Sequence, residues 1–227
     1  ATVALLMWLR EGKKRGRESF SPVDWEKDSR PRSLPAPLIR YLIVLFVFTL
    51  GNSADAFLLL RLTEAAGGPQ YIPLLWSLLH VVKMLSSLAG GSASDRLGRR
   101  PLIAIGWMIY AIVYAGFAVS TSLRMLVAWF LLYGVYYGCV EGTERALVAD
   151  FAQPSQKGTA FGVYNAVAGV GALISSVVFG LIWNTFGAPV AFASGAGLAV
   201  LAAALLFALV PAPGAQSPES RARNQQI

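Results

Sequence analysis

The sequence predicts an all-α membrane protein with six transmembrane helices. Three observations predict it. The 227-residue chain is 56% hydrophobic with a mean hydropathy of +0.56, and only 14% of it is charged, which is too apolar for a soluble domain of this size. Its apolar residues gather in six runs, each long enough to cross ~30 Å of hydrocarbon at ~1.5 Å per helical residue. Lysine and arginine crowd into alternate connections between those runs.

Residues 1–10 are apolar but shorter than the ~20 residues a span needs. They lack a basic leader and a clear cleavage site, so they read as the end of a truncated preceding transmembrane helix. Residues 11–40 form a polar linker rich in Lys13, Lys14, Arg15 and Arg17. Within it, Ser21-Pro22-Val23-Asp24 is a helix-start pattern. A short amphipathic helix over residues 22–28 is expected, with Trp25 at the membrane surface. Pro31, Pro35 and Pro37 then hold the chain extended.

The bundle proper covers residues 41–210. Its spans are expected at residues 41–62, 71–89, 101–119, 123–149, 159–183 and 189–210. Residues 211–227 carry Pro, Ser and Arg and are expected to be a disordered tail. The linker, the 95–100 turn, Lys157, Arg221 and Arg223 all fall on one side, which the positive-inside rule makes cytoplasmic. Both ends of the six-span block therefore lie inside, as in a plasma or bacterial inner membrane.

Composition also excludes functions. The net charge of +7 does not mark nucleic-acid binding, because the basic residues border the spans. Cys139 is the single cysteine and His80 the single histidine, so neither a disulfide framework nor a metal site is expected. There is no P-loop, no zinc-protease motif and no nucleophile elbow, hence no enzyme and no cofactor.

Ionisable groups inside a span cost ~2.5–3.5 kcal/mol each at its centre, so their positions carry information. The first span holds Asn52 and Asp55, read as one turn apart on one helix face. The second holds His80 and Lys83 in the same relation. The fourth holds Tyr133, Tyr136, Tyr137, Glu141, Glu144 and Arg145; the fifth holds Tyr164, Asn165, Ser175 and Ser176. The third and sixth have no ionisable residue inside apart from Tyr110 and Tyr114. They are therefore expected against lipid or at the periphery, with the other four enclosing a polar region. Asn52, Asp55, His80, Lys83, Tyr136, Tyr137, Glu141 and Asn165 are the candidate cavity residues, with Asp55 paired to Lys83 or His80. Glycine rows at Gly134, Gly138, Gly142 and Ala146, at Gly158 and Gly162, and at Gly195, Ala199 and Ala203 are expected to let helices pack closely.

Between the second and third spans stands Gly91-Ser92-Ala93-Ser94-Asp95-Arg96-Leu97-Gly98-Arg99-Arg100, followed by Pro101. Gly91 is expected to permit a close helix approach and Gly98 a turn at positive φ. This G-x-x-x-D-R-x-G-R-R stretch resembles the loop signature of the major facilitator superfamily of secondary transporters. Glu144-Arg145-Ala146, with Asp150, Pro154, Lys157, Gly158 and Gly162, resembles that family's connection between the fourth and fifth spans, with Lys157 where an arginine is usual.

The resemblance covers residues 38–210 and fits a carboxy-terminal six-span half, built as two three-helix repeats. It implies a missing amino-terminal half, a lipid bilayer around both, and a solute site between them. It implies secondary active transport of a small solute, coupled to protons, with export of small organic compounds favoured. Uptake of an organic anion or a sugar-like solute is the alternative, and a non-transporting six-span partner a further one. Gly91, Asp95, Arg96, Gly98, Arg99 and Arg100, with Glu144 and Arg145, are implied to form a cytoplasmic gate of paired charges.

Overall fold

A computed structural model describes residues 33–212. The expectations for residues 1–32 and for the tail from residue 213 lie outside the described residues. From Leu34 onward the described chain forms one compact unit.

Seven α-helices are present among the described residues: α1 (Ala36–Gly51), α2 (Asp55–Ala66), α3 (Ile72–Leu97), α4 (Arg99–Val119), α5 (Leu123–Phe151), α6 (Lys157–Phe186) and α7 (Ala188–Leu209). Together α1 and α2 make the first span. Six stretches are long and apolar enough to cross a membrane: Ala36–Ala66, Pro69–Leu97, Arg99–Val119, Leu123–Phe151, Pro154–Phe186 and Ala188–Leu209. All six expected spans are thus found, with ends shifted by up to eight residues, the largest shift being the end of the second span at Leu97 in place of residue 89. The first begins earlier than residue 41, because Pro37 lies in the first turn of α1, where its missing N–H costs nothing.

The first span is not continuous. Residues 52–54 leave the helix between Gly51 and Asp55. Asn52 and Asp55 therefore sit on separate helices, and the expected shared face does not exist. A backbone break inside a membrane needs polar partners for its freed groups. The third span supplies one: Tyr110 Oη donates to the Gly51 carbonyl at 2.9 Å, and beside it the side-chain hydroxyls of Ser53 and Tyr114 are 2.9 Å apart. Gly51 faces Gly195 of α7 so closely that a Cβ on either would strike the other's carbonyl oxygen.

The helices pack in the order α3, α5, α4, α7, α1, α6, each most extensively against its neighbour in that series. In span numbers this is two, four, three, six, one, five. Exchanging one with four, two with five and three with six turns the series into its own reverse. That is the contact pattern of two equivalent three-helix repeats, and it bears out the expected architecture.

Within the described chain, the third and sixth spans lie in the middle of that series. They pack on each other, and the third is the most enclosed of the six, 61% of its apolar window being buried against 11% for the second and 17% for the fifth. A helix without charges suits a protein core as well as lipid, so the missing ionisable residues did not distinguish the two. Trp107, Tyr110, Tyr114 and Phe117 of α4 are fully buried and anchor an aromatic core. Phe48 of α1 stacks on Trp107 with 4.5 Å between centroids and 7° between planes. Phe192 of α7 meets Tyr114 edge-on at 5.3 Å.

Of the glycine rows, Gly134 and Gly138 behave as expected. A side chain at Gly134 would strike Val82, and one at Gly138 would strike the Ser86 backbone, so α3 and α5 lie nearly in backbone contact. Ser86 Oγ seals the seam by donating to the Gly134 carbonyl at 2.9 Å. Gly142, Gly158 and Gly162 have open space beside them within the described chain. Gly91 is open too. The close approach belongs to Gly90, whose Cβ position is filled by the Gly138 carbonyl.

Candidate functional site

The break in the first span makes Asp55 the first residue of α2. A carboxylate there faces the positive end of the helix dipole. Asp55 Oδ1 accepts from Tyr133 Oη at 2.7 Å and from Tyr137 Oη at 3.2 Å, and Oδ2 lies 3.3 Å from the same Tyr137 hydroxyl. The two tyrosines are one turn apart on α5 and so reach the carboxylate together.

Lys83 comes from α3. Its ammonium is 3.5 Å from Asp55 Oδ2, the two side chains being only 19% and 22% exposed. Three rings surround it. The Nζ atom is 3.5 Å from the centroid of Tyr137, 5.8 Å from Trp76 and 5.9 Å from Tyr133. The first, second and fourth spans thus converge on one charge pair, each charge lowering the other's cost in an apolar medium. Trp76 and Tyr133 were not among the candidate cavity residues. Their signal was available, since Trp76 is two helical turns before Lys83 and Tyr133 one turn before Tyr137.

Other candidates lie elsewhere. His80 is exposed; its Nδ1 donates to the Trp76 carbonyl at 2.9 Å and its ring packs against Trp76 at 5.1 Å. It takes no part in the ion pair. Asn52 caps α1 through its backbone N–H. Tyr136 is buried in the aromatic core between Phe48, Tyr110 and Tyr133. Asn165 is exposed on α6 and makes no hydrogen bond among the described residues. Glu141 is exposed and pairs with Arg145 at 3.5 Å, one turn along the same helix.

At the arginine-bearing end, the expected loop is mostly helix. α3 runs through Asp95 and Arg96 to Leu97, and Gly98 alone makes the reversal, at φ +86. Arg99 pairs with Asp150 and donates to the Ala146 carbonyl of α5. Arg100 donates to the Phe207 carbonyl of α7 and stacks over that ring at 4.8 Å. Asp95 and Arg96 are exposed and form no ion pair among the described residues. These residues border a cavity of about 480 Å³ lined by Ser94, Asp95, Arg99, Arg100, Asp150 and Phe207.

Glu144 does not join this cluster. It is buried between spans three, four and five, accepting from Trp107 Nε1 at 3.1 Å and from Tyr164 Oη at 2.9 Å. Helix phase explains the difference. Glu144 and Arg145 are ~100° apart around α5, so one faces the core when the other faces out. Asp150, further along α5, is the acid that reaches Arg99.

A six-helix membrane bundle of paired repeats, with charges gathered at a broken first span, is the class that this fold and site define. The family model of the Major Facilitator Superfamily matches residues 3–226, and the chain belongs to that superfamily as an integral membrane protein. It is 30% identical over 182 residues to an uncharacterised MFS-type transporter of Methanocaldococcus jannaschii, covering 78% of this chain and 46% of that one. It is 26% identical over 123 residues to the riboflavin transporter RibZ of Clostridioides difficile, covering 54% and 27%. The crystal structure of the POT family transporter PepTSo shares the fold, with a TM-score of 0.64 at 18% identity, over 82% of this chain and 41% of that one. The chain spans about half the length of the curated relative from Methanocaldococcus.

Proposed function

We propose that this chain forms one wall of a secondary transporter that moves a small organic solute outward in exchange for protons, by alternating access. The observation that carries the reading is the Asp55–Lys83 pair, 3.5 Å apart across two spans at the point where the first span is broken. Charges inside apolar spans are expensive, so a pair held there across two helices points to function. A carboxylate held by two phenols and an ammonium is a group whose partners can be exchanged for a proton or a solute as the bundle rocks. The second wall is an amino-terminal six-span half, a reading supported by the coverage of about half of the Methanocaldococcus relative. Both ends of the six-span block face the cytoplasm, as the clustering of Arg96, Arg99, Arg100 and Lys157 supports.

The test uses the full-length protein in proteoliposomes. Counterflow with a panel of small organic solutes identifies one that moves, and an imposed pH gradient then drives its accumulation. Asp55→Asn is expected to abolish gradient-driven accumulation. Wild-type accumulation in both Asp55→Asn and Lys83→Ala overturns the assignment.

A further inference from the structure

The surroundings of Lys83 are those of a bound cation, not those of a lysine held ready for an anion. Its ammonium lies over the face of Tyr137 at 3.5 Å, with Trp76 and Tyr133 at 5.8 and 5.9 Å. One carboxylate oxygen completes the shell at 3.5 Å. Aromatic faces carry negative potential, so three of them attract a cation and repel an anion. Rings with a carboxylate are the usual means of holding an alkylammonium ion out of water. An anionic solute approaching Lys83 here would meet the rings and Asp55 first.

The box is also open to exchange. The Lys83 side chain remains 19% exposed, and His80 and Ser87, which share its face of α3, are exposed. Its four-carbon stem lets the ammonium leave while the helix stays in place. The walls are held from elsewhere. Tyr133 and Tyr137 are tied to Asp55 by their hydroxyls, and the Trp76 ring packs on His80. When the ammonium leaves, a preformed site with one negative charge remains.

We propose that Trp76, Tyr133, Tyr137 and Asp55 form a receptor for a singly charged organic ammonium ion, and that Lys83 is a tethered occupant which the solute displaces. This deepens the transport reading by naming the solute class, and it rests on that reading. The lysine keeps the site neutral between solutes, so Asp55 does not stand unpaired in the membrane.

Equilibrium binding to the full-length protein in detergent tests the proposal without any flux measurement, so its failure is separable from failure of the transport reading. The probe is benzyltrimethylammonium, with phenylacetate as an anion of similar size, and the readout is calorimetric titration. Removing the tethered competitor with Lys83→Met is expected to tighten benzyltrimethylammonium binding by about tenfold or more, the scale of a desolvated cation–π contact. Lys83→Arg keeps an occupant in the box and is expected to show no gain, which also guards against misfolding as the cause. Adding Asp55→Asn to Lys83→Met is expected to remove the gain. Phenylacetate is expected to bind no better to any variant. Unchanged or weaker benzyltrimethylammonium binding in a folded Lys83→Met protein overturns the proposal. So does phenylacetate binding that is lost with Lys83.

Discussion

The phenol of Tyr110 donates to the carbonyl of Gly51 at 2.9 Å, at the last residue of α1. A side chain of the third span thereby satisfies the backbone where the first span stops being helical. The same helix sends Tyr114 to the side-chain hydroxyl of Ser53, inside the break. Without such partners, open backbone groups in a bilayer cost several kcal/mol each. The break in turn sets Asp55 at the head of α2, within reach of α3 and α5. One apolar helix, free of charges, thus positions the charge of another.

Tyr110→Phe removes the donor and leaves the Gly51 carbonyl buried and unpaired. The expected loss is about 1–3 kcal/mol, read as a lowered thermal unfolding midpoint of the full-length protein in detergent. Ile112→Val, on an exposed position of the same helix, is the matched control and is expected to change little.

Gly138 and Gly142 stand one turn apart on α5 and separate packing from composition. Gly138→Ala drives a methyl into the Ser86 backbone, whereas Gly142→Ala meets nothing within 4 Å in the described chain. Gly138→Ala is expected to destabilise by about 1–3 kcal/mol through overpacking. Gly142→Ala is expected to match or slightly exceed wild-type stability, because alanine favours the helix. Fluorescence-detected size-exclusion after a heating series distinguishes them.

Glu144 holds two donors in the core. Glu144→Leu leaves Trp107 Nε1 and the Tyr164 hydroxyl buried without an acceptor, with an expected loss of about 1–3 kcal/mol per stranded group. Glu144→Gln keeps a carbonyl acceptor and is expected to lose less than half as much. Equal losses in the two variants would show that the carboxylate charge, and not the hydrogen bonds, matters there.

Arg99 and Asp150 link the start of α4 to the end of α5. Their side chains are 34% and 30% exposed, and exposed ion pairs contribute only ~0–1 kcal/mol. Asp150→Asn is therefore expected to barely move the unfolding midpoint. Its effect should appear in the balance of conformations, read as altered labelling of single cysteines placed, in a Cys139→Ala background, at positions 91 and 142, which border a second cavity of about 340 Å³ beside Asp95 and Arg99. The exchanged pair Arg99→Asp with Asp150→Arg is expected to restore the wild-type pattern. Unaltered labelling in Asp150→Asn removes the pair from any gating role.

Asp95 is exposed and carries no partner among the described residues. Asp95→Asn is expected to slow solute exchange by the full-length protein while leaving its binding affinity near wild type. A loss of affinity with normal exchange rates contradicts a gating role for that residue.

Much of the bundle was legible in the order of residues. A run of some twenty apolar side chains between charged flanks leaves the backbone no choice but helix, so the spans emerged near their true places. The Asp55–Lys83 pair was legible for a related reason. Two opposite charges in apolar spans must meet something, which left Lys83 or His80 for Asp55, and the structure chose Lys83. Gly98, between two helices, stood where only a positive φ closes the turn.

Three-dimensional packing decided the rest. The break at residues 52–54 does carry a mark, the loop-forming cluster Gly51-Asn52-Ser53 ahead of Asp55, but its place inside a span is made tolerable by Tyr110, which arrives from another helix to satisfy the Gly51 carbonyl. The central place of the third and sixth spans was hidden because lipid and protein interior are equally apolar. The burial of Glu144 beside an exposed Arg145 turned on helix phase, and phase is meaningful only once the neighbouring helices are in place. Hydropathy is a property each residue carries along the chain, so it announces the membrane; which face a residue shows, and to whom, is a property of pairs of helices, and only their association settles it.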